Sequence, residues 1–159
     1  MKDLGLEFDK DLVLIDVDAS SDGEAIEKVA THLLNKGLVK ESYIKAIMER
    51  EKVFPTGLPT EGYGVAVPHT DVEHVIEQAI CIATLKNPVP FKVMGSIDEM
   101  VDVKVLFMLA LKEPHSQLEM LQAVIGIVQK PDILEKICTE KDTQTIFDIV
   151  KYEFENIEE

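Results

Sequence analysis

Basic residues are scarce in this 159-residue sequence: 16 lysines and arginines stand against 30 aspartates and glutamates, for a formal net charge of −14. Such an acidic surface repels phosphate backbones and anionic headgroups, which excludes nucleic acid or an anionic membrane as the main partner. Long apolar runs are also missing, and none approaches the roughly 20 residues needed to cross a bilayer. The first residues, Met1-Lys2-Asp3-Leu4-Gly5, lack the charged-then-apolar layout of a signal peptide. There are two cysteines, Cys81 and Cys138, with no CxxC or Cys-His spacing, so nothing suggests a structural zinc. Their apolar surroundings predict buried fillers, not a disulfide pair or a nucleophile, and the expected compartment is the cytoplasm. No Gly-x-x-x-x-Gly-Lys loop is present, which argues against direct use of a nucleotide. No serine sits on a Gly-x-Ser-x-Gly elbow, which argues against a hydrolase triad.

What is present alternates between apolar runs and helical patterns. Leu12–Val17 reads as a first strand. Ser21 and Glu24 have capping-box spacing and start a helix on Ile26, Val29, Ala30, Leu33 and Leu34, with Gly37 as its stop. A second helix buries Tyr43, Ile44, Ile47 and Met48 and ends near Glu51-Lys52-Val53. Pro55–Gly62 is a loop. It delivers the chain to a short strand over Gly64–Val67, which Pro68 ends because proline has no amide proton for a ladder. Ala79–Leu85 is the next buried strand, broken at Asn87-Pro88, and Val89-Pro90-Phe91 is a short edge piece. Val103–Leu111 is a central strand. Ser116 and Glu119 again have capping-box spacing and start a helix on Leu118, Leu121, Val124, Ile125 and Val128. A short helix carries Ile133, Leu134 and Ile137, and a last one runs from Thr143 to Phe154. The pattern predicts one α/β domain with a mixed sheet.

The chemistry falls on four histidines. His32, on the polar side of its helix, and His74, in a polar stretch, read as surface residues. His69 and His115 each follow a proline at the end of an apolar strand, where α/β proteins keep reactive groups. If those two strands are parallel neighbours, both histidines emerge at one sheet edge. His115 also opens a helix, whose free N–H groups and dipole favour an anion. A neutral imidazole is a nucleophile near neutral pH, and a second one can hydrogen-bond a phosphoryl oxygen. His69 is therefore a candidate phosphoryl carrier with His115 assisting, although two loop histidines without a role fit the residues as well. Arg50, in a chain with few arginines, could neutralise phosphoryl charge. From the residues alone, a helix-end cation or an ion pair with Glu49 or Glu51 is the stronger reading of Arg50. A metal site on His69, Asp71, His74 and His115 ranks below phosphoryl transfer, since His-x-Asp-x-x-x-His is a weak zinc pattern.

Arg50-Glu51, the Pro/Gly loop and Gly64-Val65-Ala66-Val67-Pro68-His69 together resemble the enzyme IIA domain of the sugar phosphotransferase system, mannitol–fructose class. Pro114-His115 and the following Gln117-Leu118-Glu119-Met120-Leu121 extend the likeness over nearly the whole chain. Gly57–Gly64, Pro68-His69-Thr70-Asp71 and Val105–Lys112 look most like the galactitol-type component, although Thr70 stands where many members have a small residue. The resemblance implies one carrier domain over residues 1–159 with a mixed, mostly parallel sheet of about five strands and helices on both faces. It implies that His69 accepts a phosphoryl group from the histidine phosphocarrier protein and passes it to a IIB component. His115 would assist transfer and Arg50 would stabilise the phosphoryl charge. A membrane IIC component would be served indirectly, with no metal or organic cofactor. A regulatory phospho-switch on the same histidine is the alternative.

Overall fold

Strand β1 (Val13–Val17) follows a 3-10 turn at Lys10–Leu12 that takes in Leu12, the residue expected to open the strand. The computed structural model describes residues 6–157. Helix α1 spans Asp22–Asn35 and is capped by Ser21, whose hydroxyl accepts the Glu24 amide at 3.1 Å. The reciprocal bond reaches one residue further than the capping box requires, since the Glu24 carboxylate takes the Ser20 amide at 3.3 Å. Helix α2 spans Ser42–Val53 and buries Tyr43, Ile47 and Glu51, a stripe at four-residue spacing. Then come β2 (Gly57–Leu58), β3 (Gly64–Ala66), β4 (Ala79–Lys92) and β5 (Met100–Ala110). Helices α3 (Pro114–Val128), α4 (Pro131–Thr139) and α5 (Thr143–Glu155) complete the chain.

The five strands form one sheet in the order β1-β4-β5-β3-β2. Pairs β1/β4 and β3/β5 are parallel, whereas β4/β5 and β2/β3 are antiparallel. The sheet is thus mixed as expected, but not mostly parallel: its long central pair is an antiparallel hairpin closed by the Val93–Glu99 connection. The expected break at Asn87-Pro88 is a bulge inside β4, between Thr84 and Val89. β1 ends alongside Leu85, so Pro90 lies where β4 pairs with β5 alone, as its missing amide proton demands.

Residues 79–85 and 105–110 are buried without a gap. Successive side chains point to opposite faces, so both faces of the sheet are covered. Two helical groups provide the cover: α1 with α2, and α3 with α4 and α5. Cys81 and Cys138 are both buried free thiols within this core, and burial pushes each up to about 12. Among the described residues no helix is long and apolar enough to cross a membrane.

Helix α3 departs from expectation. Pro114 is its first residue and Glu113 its cap, without a side-chain capping bond, so Ser116 lies inside the first turn. The buried face is Met120, Val124, Ile127 and Val128, while Leu118 is exposed. Apolar residues run nearly all round this helix, so periodicity alone admits more than one inward face.

Candidate functional site

The site is built where β3 and β5 end side by side. Their parallel pairing, Gly64 with Val103 and Ala66 with Leu106, sends both chains out of the same sheet edge. Gly62 makes the entry bend at φ +115°, a region that disfavours side chains. At Gly64 a Cβ would stand 2.1 Å from the Asp102 carbonyl oxygen, so only glycine lets β3 lie this close to β5. Beyond β3, Pro68 is held by its carbonyl, which accepts the Leu109 amide at 3.0 Å. The Tyr43 hydroxyl donates to the Leu109 carbonyl at 2.8 Å, tying α2 to the same strand. Gln117 of α3 donates to the Thr70 carbonyl at 2.7 Å. The segment carrying His69 is therefore fixed by α2, β5 and α3 together.

The His69 ring lies with Nδ1 2.9 Å from the Val67 carbonyl oxygen. A carbonyl only accepts, so Nδ1 carries the proton and the neutral ring keeps its lone pair on Nε2. Burial holds the His69 pKa below the usual histidine range; the Val67 bond acts against this and the Arg50 charge adds to it. The imidazole is neutral at neutral pH and nucleophilic at a defined nitrogen.

Arg50 is the only arginine in the chain. Its guanidinium stands 4.9 Å from the Phe54 ring centroid and 3.8 Å from an Asp71 carboxylate oxygen, too far for a hydrogen bond. Its partner is thus Asp71, not Glu49 or Glu51. Among the described residues its Nε is buried without a hydrogen-bond partner, and its charge reaches His69 closely enough to lower the histidine pKa. An open groove of about 570 Å³ runs from this arginine past Lys45, Val53, Phe54, Asp71 and His74. Val53, Phe54 and, on α3, Leu118 are exposed apolar side chains.

His115 leaves from the expected edge, but its ring, 80% exposed, pairs with Glu119 at 2.6 Å one turn along α3. No hydrogen bond joins it to His69 among the described residues. His74 is more than a surface residue: its Nδ1 meets the Ser42 hydroxyl at 2.8 Å and its carbonyl takes the Lys40 amide, binding the loop to the start of α2. His32 contacts the Asp11 carbonyl through Nε2 at 2.7 Å. No group of three or more histidine, cysteine, aspartate or glutamate side chains is gathered to hold a metal among the described residues.

Two residues behind His69 were not among the candidates drawn from the sequence. Glu51 is 6% exposed and accepts two hydrogen bonds from Thr56, from its amide at 2.8 Å and its hydroxyl at 2.9 Å. The Thr56 hydroxyl oxygen in turn accepts the Val67 amide at 3.1 Å. The available signal was the spacing 43, 47, 51, which puts a carboxylate on the buried stripe of α2.

Residues 7–153 match the family described as "Phosphoenolpyruvate-dependent sugar phosphotransferase system, EIIA 2". The galactitol-specific EIIA component of Escherichia coli (strain K12) is 32% identical over 129 residues, 81% of this chain and 85% of that protein. The transcriptional regulator ManR of Bacillus subtilis (strain 168) is 29% identical over 143 residues, 89% of this chain and 20% of the regulator. The solved complex of enzyme IIA and phosphorylated enzyme IIB of the mannitol system from Escherichia coli shares the fold, with a TM-score of 0.76 at 18% identity over 92% of this chain and 99% of its counterpart. On the extent of the family match and the galactitol-type relative together, this chain belongs to the EIIA 2 family of the phosphoenolpyruvate-dependent sugar phosphotransferase system.

Proposed function

We propose that His69 accepts a phosphoryl group on Nε2 from the histidine phosphocarrier protein and hands it to a IIB component. The Nε2 lone pair forms the new N–P bond as the donor's N–P bond breaks and its electrons return to the donor imidazole. In the onward step the acceptor's nucleophile forms the new bond to phosphorus as the Nε2–P bond breaks and its electrons return to the His69 imidazole. The observation that carries this reading is the Nδ1–H bond to Val67, which leaves Nε2 as the one free nucleophilic atom of a neutral ring. Arg50 stabilises the phosphoryl oxygens through its part-exposed guanidinium, and His115 swings from Glu119 to the phosphoryl group during transfer. Exposed Val53, Phe54 and Leu118 provide apolar contact for the protein partners.

The 32% identity to a galactitol-specific component supports a galactitol-type polyol as the transported sugar, taken up through a membrane IIC component that this chain serves indirectly from the cytoplasm. In this reading residues 1–159 act as one IIA-type carrier unit. The likeness to ManR favours a second reading, in which the same phosphohistidine signals to a regulator. Phosphorylation by the phosphocarrier protein, followed by mass spectrometry and a panel of IIB acceptors, tests both. One acid-labile phosphoryl group lost in His69→Ala and passed to a galactitol-type IIB is expected. Normal labelling of His69→Ala refutes the assignment of the nucleophile, and labelling without transfer to any IIB favours the regulatory reading.

A further inference from the structure

We propose that Glu51 and Thr56 are positioning residues that set which nitrogen of His69 is nucleophilic; this rests on His69 being the phosphoryl carrier. The chain of contacts is continuous. Glu51 takes the Thr56 hydroxyl proton at 2.9 Å, so the hydroxyl's lone pair faces the Val67 amide at 3.1 Å, and the Val67 carbonyl takes the His69 Nδ1 proton at 2.9 Å. A hydroxyl has one proton to give. While Glu51 is a carboxylate it can only accept, so Thr56 must donate to it and turn an acceptor toward Val67. A fixed Val67 holds its carbonyl on Nδ1, and a fixed Nδ1–H keeps the lone pair on Nε2.

The cost of this arrangement points to function. Glu51 is buried and forms no ion pair among the described residues, and the neighbouring Arg50 turns to Asp71 instead. Only a carboxylate accepts from the buried Thr56 amide and hydroxyl together, which neither an amide nor an apolar side chain can do. Burial raises the Glu51 pKa to about 7, the two Thr56 bonds lower it, and the Asp22 carboxylate at the start of α1 adds to the rise.

The test compares Thr56→Val, which keeps the shape and removes the hydroxyl, with Thr56→Ser, which restores it. Nitrogen NMR of the unphosphorylated full chain reads the His69 tautomer directly, without a donor. Phosphotransfer from the phosphorylated phosphocarrier protein reads the rate. Thr56→Val is expected to shift the Nδ1–H to Nε2–H ratio and to lower the single-turnover phosphorylation rate by about threefold to tenfold, the value of one hydrogen bond. The apparent affinity for the donor is expected to stay unchanged, because Thr56 is buried. Thr56→Ser returns both readouts, and Glu51→Gln moves both in the same direction as Thr56→Val. An unchanged tautomer and rate in folded Thr56→Val overturns the proposal while leaving His69 as carrier. A tautomer shift in a chain that is never phosphorylated at His69 leaves the relay standing and overturns the carrier reading.

Discussion

Replacing Glu51 by glutamine gives a stability change whose sign depends on pH. In the folded chain the Glu51 carboxyl is raised from 4.5 to about 7, chiefly by burial. The folded state therefore binds this proton more tightly than the unfolded state does. Stability from this group is fully present below the unfolded value of 4.5 and is lost as pH rises toward the folded value of about 7. At about 1.4 kcal/mol per pH unit, the ionised form costs the fold about 3 kcal/mol above pH 8. Glutamine carries no such charge. Its amide cannot accept both Thr56 protons, which subtracts about 1 kcal/mol at every pH. Urea unfolding of both proteins at pH 5 and pH 8.5 isolates the charge, because every other titrating group contributes to both. The glutamine variant should gain about 2.5 kcal/mol relative to the parent between these two pH values. A difference that does not change with pH would mean that the carboxyl keeps its ordinary pKa on folding. A loss with rising pH would mean that a cation compensates the charge.

Three further outcomes follow from the geometry. Arg50→Lys keeps the charge but loses the planar donors, and should slow transfer about 10- to 100-fold and shorten the life of the phosphorylated form; wild-type rates in a stopped-flow assay would reduce Arg50 to a helix-end cation. His115→Ala should slow transfer to the IIB acceptor about 10-fold while the melting temperature holds, because the ring is 80% exposed; equal rates in both directions would remove His115 from the reaction. Gly64→Ala forces a Cβ onto the Asp102 carbonyl oxygen, so it should cost about 3 kcal/mol in urea unfolding and displace the His69 segment; a stable variant with a native spectrum would show that β3 has room to move.

The readable part of the site was the part encoded by order along the chain. Pro68-His69 and Pro114-His115 each end an apolar run, and the one further requirement, that β3 and β5 be parallel neighbours, is met. Helix α1 and its Ser21 cap were legible for the same reason, since a cap acts over three residues. The sheet's directions were not. Whether β4 and β5 form a crossover or a hairpin turns on the seven residues from Val93 to Glu99, of which only Met94-Gly95-Ser96 reads as a turn in the sequence. A link that short closes an antiparallel pair and cannot carry a parallel crossover, so loop length was the better guide. Glu51 was obscured by its neighbours. In Glu49-Arg50-Glu51 three charges adjoin, and Arg50 could be paired with either glutamate on paper. On the helix successive residues turn by about 100°: Glu49 stays exposed and lines the groove with Arg50, and Glu51 enters the core. In the proposed mechanism that divergence separates the charge assigned to the phosphoryl group from the carboxylate that bonds Thr56 behind it. It also explains why Glu51 can adjoin the site's one arginine without pairing with it: neighbours in sequence do not share a helical face, so Glu51 spends its hydrogen bonds on Thr56 while the guanidinium turns to Asp71 and Phe54.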